Sequence, residues 1–556
     1  MKIKKIKIIN FKCFNGEFTL DLNDGITILV GDNEAGKSTI LEAINLALTG
    51  MFHGKALKNE LSQYIFNYEI LTEYFNNIKE DKECSLPEIL IELYLEGTGL
   101  AIFEGSINSN KEQSCGISFK IAFDEEKYKN EYQILINSEE EIKTLPIEYY
   151  DIFWRSFAYD NITSRSIPIK AAMIDSSNMR HYNGSDIYIS RIIQNSLIDD
   201  DVICISQAHR KMLQSFMQDE SIAKINEKVI NSADISNKNI KLSIEMVTKN
   251  GWQNNLIAYL DNIPFHFIGK GEQCLIKTKL ALSHEKTKKA SVMLIEEPEN
   301  HLSHSKLNEF ICSINQQCEN RQVIISTHSS FIANKLGLKH LVLLNKNQFL
   351  NFNSISDETK NFFAKLPGYD TLRLLLCKKA ILVEGDCDEL IVQKAYMVQN
   401  NNRLPIQDGI DIISVGTTFL RFLEIAKQLK TSVAVVTDND GDIENKINKK
   451  YSDYLGKNKK DNITICYDTK ENTCNLTIGK EKKRFNCNTL EPNIIKANMN
   501  NLEKFNNIFG TKCKSISEMH QHMKSKKTEC ALKIFETTEV VFFPDYIMQA
   551  IENDKQ

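Results

Sequence analysis

Several features that define common protein classes are missing from these 556 residues. The fourteen cysteines include no C-x-x-C pair, which argues against a zinc ribbon and against a dithiol redox centre. No apolar run reaches the roughly 18 residues of a membrane span, and the first residues lead into an alternating strand pattern rather than the apolar core of a signal peptide. The net charge is −5, so a surface that binds nucleic acid must be local. We therefore expect a cytoplasmic globular protein.

A phosphate-binding loop is the clearest motif that is present. Residues 31–39 read Gly-Asp-Asn-Glu-Ala-Gly-Lys-Ser-Thr and fit the pattern G-x-x-x-x-G-K-[ST], whose backbone N–H groups surround nucleotide phosphates. In this pattern Lys37 meets the β/γ-phosphate oxygens and the Ser38 hydroxyl binds Mg²⁺. An apolar strand precedes the loop and a helical pattern follows it, which puts a helix N-terminus under the phosphates. The motif predicts nucleotide binding, against the alternative of a glycine-rich turn.

The segments around this loop predict strands first and helices later. Strands are predicted within residues 1–30, around 89–95 and around 119–123, so we expect an antiparallel layer beside the nucleotide-binding core. Residues 160–240 carry apolar positions at helical spacing and predict a helical insertion. We expect it to pack against a second copy of the chain; the alternative is a lid over its own core. Asn250-Gly251 predicts the turn of a hairpin.

Three short motifs follow at separate strand or helix ends. Residues 269–273 (Gly-Lys-Gly-Glu-Gln) open a helical pattern, which alone is a weak signal for an anion site. A strand at 292–295 ends in Glu296-Glu297-Pro298-Glu299, where one carboxylate can hold Mg²⁺ and the next can orient water. A third strand ends at Thr327-His328-Ser329. A lone histidine there is usually structural, but this is also the position of a γ-phosphate sensor.

Together these motifs resemble those of the ABC-type ATPases of the SMC, Rad50 and RecF group. In that group two copies enclose the nucleotide, so the resemblance implies a homodimer or a higher homo-oligomer. It implies that Glu296 lies beside the metal, Glu297 acts on the attacking water and His328 contacts the γ-phosphate. Gly271 and Glu272 would reach the nucleotide of the other copy, although Gly269 and Lys270 stand where a serine is usual. The implied phosphate-loop residues are Gly31, Asn33, Gly36, Lys37, Ser38 and Thr39.

A second group of acids follows a linker predicted at 346–375. Apolar strands alternate with helical patterns from residue 380 on, which predicts a parallel sheet with ligands beyond the carboxyl ends of its strands. Glu384 follows the first strand and Asp438-Asn439-Asp440-Gly441-Asp442 follows the third. Converging carboxylates repel one another, and oxygen ligands without His or Cys favour Mg²⁺ or Mn²⁺. A calcium loop is excluded by Ile443 and Lys449 at its positions 6 and 12, so the remaining alternative is a solvated acidic turn.

This second group resembles a Toprim domain, the metal-binding module of topoisomerases, primases and some nucleases. An ABC ATPase followed by Toprim is similar to the OLD family (overcoming lysogenisation defect), which includes the Gabija nuclease GajA and the OLD effectors of retron systems. The segments 488–491 (Asn-Thr-Leu-Glu), 527–532 and 544–547 extend the likeness. It implies that Lys527 steadies the scissile phosphate and that one or two Mg²⁺ or Mn²⁺ ions are held by Glu384, Asp388, Asp438, Asp440 and Glu491.

The resemblance implies an α/β architecture in which an ABC-type ATPase with a helical insertion precedes a parallel-sheet Toprim domain. Its expected parts are 1–159 and 241–345 for the ATPase, 160–240 for the insertion, 346–375 for the linker and 376–556 for the Toprim nuclease domain. The implied activity is that of an enzyme that hydrolyses ATP and, with divalent metal, cuts DNA as an anti-phage defence effector. Glu384 is the candidate for aiding proton transfer, with Asp438, Asp440, Lys527 and, at the ATP site, Glu297 as further catalytic residues.

DNA is the expected partner. A basic run after the acidic loop is a candidate clamp for the DNA backbone, although such runs are often merely solvated; it comprises Lys446, Lys449, Lys450, Lys457, Lys459, Lys460, Lys480, Lys482, Lys483 and Arg484. One alternative is an ATP-gated DNA clamp or sensor of RecF type without cleavage. Another is a toxin that needs a partner, such as a helicase or a retron reverse transcriptase with its RNA/DNA product. No membrane partner is expected.

Overall fold

The computed structural model describes residues 1–53, 55–80, 85–137, 142–175, 181–182, 185–186, 197, 199–232, 258–283, 291–300, 302–317, 321–345, 347–478 and 481–552. The hairpin turn predicted at Asn250-Gly251 lies outside these residues. The chain divides into two units, the first comprising Met1–His328 with Leu344–Leu350 and the second Ser329–Leu343 with Asn351–Gln556.

The strands of the first unit belong to two main sheets and several short ladders. They are β1 (Lys2–Ile9), β2 (Glu17–Asp21), β3 (Ile26–Gly31), β4 (Met51–Phe52), β5 (Lys55–Ala56), β6 (Ile89–Glu96), β7 (Glu104–Gly105), β8 (Ser114–Phe123), β9 (Tyr150–Ser156), β10 (Ala171–Asp175), β11 (His181–Tyr182), β12 (Ser185–Asp186), β13 (Tyr259–Leu260), β14 (Ile263–Pro264), β15 (Val292–Glu296) and β16 (Gln322–Ser326). The helices are α1 (Lys37–Thr49), α2 (Leu57–Glu60), α3 (Tyr68–Lys79), α4 (Glu125–Ile136), α5 (Asp199–Gln218), α6 (Glu220–Ser232), α7 (Lys270–Ser283) and α8 (His304–Gln317).

An antiparallel sheet with the order β2-β1-β6-β8 forms one layer of this unit, and β7 and β9 both pair with β8. Ile117, Phe119 and Ile121 of β8 are buried on one face, while the alternating residues Ser118 and Lys120 are only half-buried. The period of two arises because successive side chains of a strand point to opposite faces. The antiparallel layer predicted beside the nucleotide core is thereby confirmed.

A parallel sheet with the strand order β10-β15-β16-β3 carries the nucleotide motifs. The phosphate loop follows β3, the paired glutamates end β15, and Thr327-His328 follows β16. Two further strands, β17 (Leu341–Asn345) and β18 (Gln348–Asn351), extend the sheet beyond β3. All six residues of β3 are buried, which explains its largely apolar sequence, in which Thr27 is the one polar residue.

The predicted helical insertion at 160–240 is only partly helical. Ala171–Asp175 is a strand that pairs in parallel with β15, so the expectation of helix there is wrong. A short apolar run of this kind cannot be told from a buried helical segment by periodicity alone. Helices α5 and α6 do occupy 199–232 as predicted, and their packing against a second copy stays a prediction.

The second unit is built on a parallel sheet with the order β20-β19-β21-β22. Its strands are β19 (Lys379–Val383), β20 (Ile410–Ser414), β21 (Ser432–Val436) and β22 (Ile463–Cys466), followed by a hairpin of β23 (Thr473–Ile478) and β24 (Glu481–Asn486). Its helices are α9 (Ser330–Leu336), α10 (Asp357–Lys365), α11 (Thr371–Leu376), α12 (Asp386–Gln399), α13 (Phe419–Ala426), α14 (Leu490–Ala497), α15 (Leu502–Phe509), α16 (Ile516–Ser525), α17 (Lys527–Glu536) and α18 (Asp545–Glu552), with a π-helical turn at Glu444–Lys449. The alternating strands and helices confirm the predicted parallel sheet.

The segment 346–375 is more than the predicted polar linker. It contains α10 and most of α11, and Phe363 and Leu374 on these helices are fully buried. Asn334 Oδ1 of α9 accepts a hydrogen bond from the Thr371 hydroxyl at 2.7 Å, and the Asn334 side-chain amide donates one to the Tyr369 carbonyl at 2.7 Å. These contacts make the segment part of the core of the second unit.

Among the described residues, none of the helices combines the length and the apolar character needed to cross a membrane.

Candidate nucleotide and metal sites

The nucleotide motifs meet at one edge of the parallel sheet in the first unit. Strand β16 lies between β15 and β3, so the carboxyl end that carries His328 is flanked by Glu297 on one side and by the phosphate loop on the other. Ligands of parallel sheets bind beyond the carboxyl ends of the strands. Topology alone therefore brings these three motifs together.

The phosphate loop wraps around its own lysine. Lys37 is buried, and its Nζ donates hydrogen bonds to the carbonyl oxygens of Gly31 and Asp32, both at 2.9 Å. Burial lowers the pKa of Lys37, opposed by the nearby acids Glu297, Asp32 and Glu299. The ammonium is thus held inside the loop, where phosphate oxygens are better partners than carbonyls.

The conformation of Gly36 explains why the motif needs glycine before Lys37. Its φ is +96°, and an added Cβ would lie 2.6 Å from Cζ of Phe14. Helix α1 begins directly after it. Ser38 is half-buried, Thr39 accepts a hydrogen bond from the Cys13 thiol at 3.4 Å, and Asn33 is exposed.

The acids after β15 are tied to His328. His328 Nε2 lies 3.6 Å from Glu297 Oε1, and Asn300 donates to the other oxygen of Glu297 at 2.7 Å. Glu299 accepts the Thr327 hydroxyl at 2.8 Å and the His328 backbone N–H at 2.6 Å. Burial raises the pKa of the Glu299 carboxyl. Glu299 and Asn300 position the predicted site residues, which motif spacing does not reveal.

The other residues predicted at the nucleotide site are Gly271, Glu272 and Glu296. Gly271 and Glu272 lie in the first turn of α7, where the exposed Glu272 donates its backbone N–H to the Gly269 carbonyl at 3.0 Å. Within the described residues, no hydrogen bond or ion pair joins them to the phosphate loop. Glu296 ends β15 and is half-buried. Contact of Gly271 and Glu272 with the nucleotide of a second copy stays a prediction.

The second unit gathers acids at the carboxyl edge of its own sheet. Glu384 follows β19, Asp438 follows β21, Asp388 lies in the first turn of α12 and Glu491 in the first turn of α14. Lys527 begins α17, and its Nζ lies 2.9 Å from Glu491 Oε1. Backbone N–H groups fix two of the carboxylates: that of Leu490 donates to Asp438 Oδ2 at 3.2 Å, and that of Gly385 donates to Asp388 Oδ2 at 3.0 Å.

The electrostatics of these acids demonstrate that they share one environment. Burial raises the pKa of Asp438 well above its ordinary value, and the nearby carboxylates raise it further; they belong to Asp388, Glu491, Asp440 and Glu384. Burial also raises the pKa of Asp388 to about 6. Like charges in a poorly solvated site disfavour ionisation. The negative charges of these four acids therefore add to the effect of burial on the pKa of Asp438.

Asp440 stands somewhat apart in its hydrogen bonding. Its Oδ1 accepts from the Asn486 amide at 3.0 Å, and its Oδ2 lies 3.3 Å from Lys446 Nζ. The backbone of Asp440 has a φ of +52°, in the left-handed region. This conformation turns the chain at Asp440, and the two aspartates of the D-x-D motif accept hydrogen bonds from different donors.

Two asparagines hold the acidic loop in place. The Asn439 amide donates to the Asp468 and Lys470 carbonyls at 2.6 and 3.0 Å, and its Oδ1 accepts the Gly441 N–H at 2.9 Å. Asn488 packs so closely that a Cβ on Gly441 would lie 2.8 Å from its amide nitrogen. Both asparagines lie within the sequence motifs, but the motifs predict no role for them. Their function depends on tertiary contacts, which no local pattern reports.

The donor set fits a divalent cation, although the ligand geometry is not preformed. Among the described residues, no group of three or more His, Cys, Asp or Glu side chains stands ready to hold an ion. The acids are nevertheless oxygen donors at one sheet edge, and within the described part of the chain the one ion pair of Lys527 is with Glu491. Oxygen-rich sites of this kind suit Mg²⁺ or Mn²⁺.

The predicted basic clamp is partly occupied by local contacts. Lys446 pairs with Asp440, Lys449 donates to the Asn445 side chain at 2.9 Å, and Lys450 lies over the rings of Phe419 and Tyr451. Lys480 lies outside the described residues, as do the side chains of Lys482 and Lys483. DNA binding by this run stays a prediction.

Three family models match the chain. One described as AAA domain matches residues 5–263, and one described as AAA domain, putative AbiEii toxin, Type IV TA system, matches residues 259–334. The third, described as overcoming lysogenization defect protein-like, TOPRIM domain, matches residues 375–440. The first two together span the unit with the nucleotide motifs, and the third spans β19 to the D-x-D motif.

Curated relatives match only short stretches. A structural maintenance of chromosomes protein 3 homolog from Plasmodium falciparum is 32% identical over 133 residues, covering 21% of this chain and 10% of that protein. A DNA replication and repair protein RecF from Clostridium tetani is 32% identical over 111 residues, covering 20% of this chain and 28% of that protein. The chain thus spans little more than a quarter of these relatives at most.

Solved SMC heads resemble the chain only distantly. An SMC head domain from Thermotoga maritima has 12% identity and a TM-score of 0.28, with 63% of this chain and 99% of that chain covered. A Pyrococcus furiosus Smc head with an extended coiled coil, bound to the C-terminal domain of ScpA, has 11% identity and a TM-score of 0.33, with 66% and 99% covered. The fold class is defined by the sheet topology and the family models.

The sheets, the motif positions and the family models define a class: an ABC-type ATPase of mixed α/β fold with a C-terminal Toprim domain. In combining an AAA ATPase domain with an OLD-like TOPRIM domain, the chain matches an OLD family nuclease. The family resemblance found in the sequence is confirmed. The narrower likeness to GajA and to retron effectors stays a prediction.

Proposed function

We propose that the protein is an ATP-regulated, divalent-metal-dependent DNA endonuclease that serves anti-phage defence. The observation that carries the nuclease assignment is the acid cluster around Asp438, in which Asp388 and Asp438 are poorly solvated and Glu384 and Asp440 are exposed, with Lys527 at its margin. A structural acidic turn would leave its carboxylates solvated, whereas here burial and neighbouring carboxylates raise the pKa of both Asp388 and Asp438. Such a cluster is costly to maintain without a cation, and a cation in turn serves phosphodiester chemistry.

The side chains divide the work of cleavage. Divalent ions held by Glu384, Asp388, Asp438, Asp440 and Glu491 would neutralise phosphate charge and make water more acidic. Glu384, exposed at the end of β19, takes the proton of the attacking water. Lys527 stabilises the charge that develops on the scissile phosphate, and its 2.9 Å ion pair with Glu491 holds the ammonium beside the acid cluster.

The ATP site supplies regulation. Lys37 and Ser38 bind the phosphates and their Mg²⁺, Glu297 positions the attacking water and His328 contacts the γ-phosphate. Gly271 and Glu272 of a second copy complete the site, since the ABC-type fold encloses nucleotide between two copies. Hydrolysis or release of ATP would then change the dimer and with it access to DNA.

Plasmid cleavage tests the nuclease proposal. The full-length chain is incubated with supercoiled plasmid and either Mg²⁺ or Mn²⁺, and Glu384→Ala and Asp438→Ala are compared with the parent. We expect each substitution to lower the rate of nicking by at least about 100-fold. Asp453→Asn, at an exposed position outside the cluster, is the matched control and should nick normally. Variants that cut as fast as the parent would end the nuclease assignment.

A second candidate is an ATP-gated DNA clamp or sensor without cleavage, favoured by the local identity to RecF proteins. In that case the acid cluster holds metal only for stability. The parent chain would bind DNA in an ATP-dependent manner and leave plasmid intact under all metal conditions. The match of residues 259–334 to a family described as putative AbiEii toxin favours a nuclease that needs a partner before it cuts. Co-expression with the products of neighbouring genes distinguishes such a nuclease from a clamp. The defence role itself is tested by plaque formation on cells that express the parent or Glu384→Ala.

A further inference from the structure

A groove of about 1050 Å³ lies on the outer face of the antiparallel sheet. Its lining residues belong to neither the nucleotide site nor the acid cluster. Its floor is formed by β8 and β9, where Ser118 lies opposite Arg155 and Lys120 opposite Phe153. One wall is α4, which contributes Lys129 and Tyr132, and the turn after β9 contributes Tyr159. The opposite face of β8 packs into the core, so the floor is rigid.

Arg155 is the distinctive side chain of this groove. Its guanidinium carbon lies 4.2 Å from the centre of the Tyr159 ring and 5.5 Å from that of the Phe153 ring. No carboxylate within the described part of the chain forms an ion pair with it. The two lysines differ, because Lys120 pairs with Glu88 and Lys129 with Glu125, both at 2.6 Å. Among the described residues of the groove, Arg155 is therefore the cation that remains available to a ligand.

The backbone keeps Tyr159 in an unfavourable conformation. Its φ is +77°, a region that bulky residues rarely adopt, and its N–H donates to the Ser156 carbonyl at 2.9 Å. The ring remains more than half exposed instead of packing into the core. Strain of this kind persists where the surrounding structure enforces it, often at binding sites. The turn thus presents an aromatic face beside a cation.

We propose that this groove binds a short segment of single-stranded DNA. Bases would stack on the rings of Tyr159 and Phe153, and Arg155 would contact a backbone phosphate, the combination of aromatic faces and positive charge that single strands require. A duplex keeps its bases stacked internally, beyond the reach of these rings. The volume lies at the upper end of the range for ligand pockets, which leaves room for a short oligonucleotide segment. The site goes beyond the proposed nuclease function and does not depend on it.

Binding is measured by fluorescence anisotropy with the full-length chain, fluorescein-labelled (dT)10 and EDTA, which prevents cleavage. Arg155→Gln and Tyr159→Ala should each weaken binding about tenfold. Arg165→Gln removes the same charge at an exposed position ten residues away and should bind like the parent. A probe that carries 5-iodouracil should cross-link to the peptide that contains Phe153 and Tyr159. Thermal unfolding and ATP hydrolysis verify that the variants are folded.

Several results would overturn the proposal. Unchanged affinity in both groove variants, or cross-links confined to residues 376–556, would assign single-strand binding elsewhere. Equal losses for (dT)10 and for a hairpin duplex would indicate a general electrostatic effect. If the groove variants lose binding of a fluorescent mononucleotide but still bind (dT)10, the groove is a site for a free nucleotide. If Tyr159→Ala releases a peptide that co-purifies with the parent, the groove is a protein-docking site. Failure of plasmid nicking bears only on the nuclease proposal.

Discussion

Replacing Asp388 by asparagine should stabilise the protein when no metal is present. Asp388 has a pKa raised from 3.8 to about 6, first by burial and then by Glu384 and Glu491. Each pKa unit corresponds to about 1.4 kcal/mol, so keeping this carboxylate ionised at pH 7.5 costs about 3 kcal/mol. The amide oxygen of Asp388→Asn can still accept the Gly385 N–H that now meets Asp388 Oδ2 at 3.0 Å. The substitution therefore removes charge and keeps the hydrogen bond.

The pH dependence gives the effect a definite sign. Because the pKa of Asp388 is higher in the folded than in the unfolded chain, its protonated form favours folding. The contribution of protonated Asp388 to the free energy of unfolding is fully present below about pH 3.8. It is lost as the pH rises to about 6, and it does not change further above that pH. The advantage of Asp388→Asn should thus be small near pH 4, grow up to pH 6 and then stay level.

Thermal unfolding in EDTA at pH 4.5 and pH 7.5 measures this. At pH 7.5 we expect the midpoint to rise by several degrees, since about 1 kcal/mol moves a unit of this size by about 2–4 °C. Asp442→Asn is the matched control: this exposed aspartate has its pKa lowered by hydrogen bonds from Asn445, so removing its charge should not stabilise. An equal or lower midpoint for Asp388→Asn at pH 7.5, or a gain that is independent of pH, would refute the reasoning.

Three further outcomes are expected. Mg²⁺ or Mn²⁺ should raise the midpoint of unfolding of the parent in proportion to the logarithm of its concentration, and Asp438→Asn should abolish this response. Glu297→Gln should lower ATP hydrolysis at least about 100-fold while nucleotide binding, followed with a fluorescent analogue, persists. Gly36→Ala should abolish nucleotide binding and lower the midpoint, because its Cβ would meet Phe14 at 2.6 Å; Gly16→Ala, at a φ of +69° with nothing within 4 Å, shares the backbone strain without the collision and should retain binding.

The parts that could be predicted from the sequence are those encoded over a few neighbouring residues. The strand before Gly31, the helix after Lys37 and the acids after β15, β19 and β21 all follow from apolar runs that end in polar residues. Parallel pairing then brings the ends of β15, β16 and β3 together, so the relation of Glu297 to His328 follows as well. Both sheet types were obtained in this way.

The failures have a common physical origin in non-local packing. Ala171–Asp175 is a strand only because β15 offers an edge, and nothing within its five residues favours strand over buried helix. The segment 346–375 looks polar, yet Phe363 and Leu374 reach the core of the second unit. Arg155 was not singled out, because its isolation from carboxylates and its contact with Tyr159 exist only after β9 has paired and its turn has formed.

Uncharged donors fix several of the carboxylates in both sites, while Asp440 also pairs with Lys446 and Glu491 pairs with Lys527. Asn300 holds Glu297, Asn486 holds Asp440, and backbone N–H groups hold Asp388 and Asp438. A lysine or arginine in these places would orient the carboxylate equally well but would also neutralise it. An amide orients the oxygen and leaves its charge available. Asp388 and Asp438 are therefore held by uncharged donors, with no ion-pair partner among the described residues, which leaves their charge available to a cation.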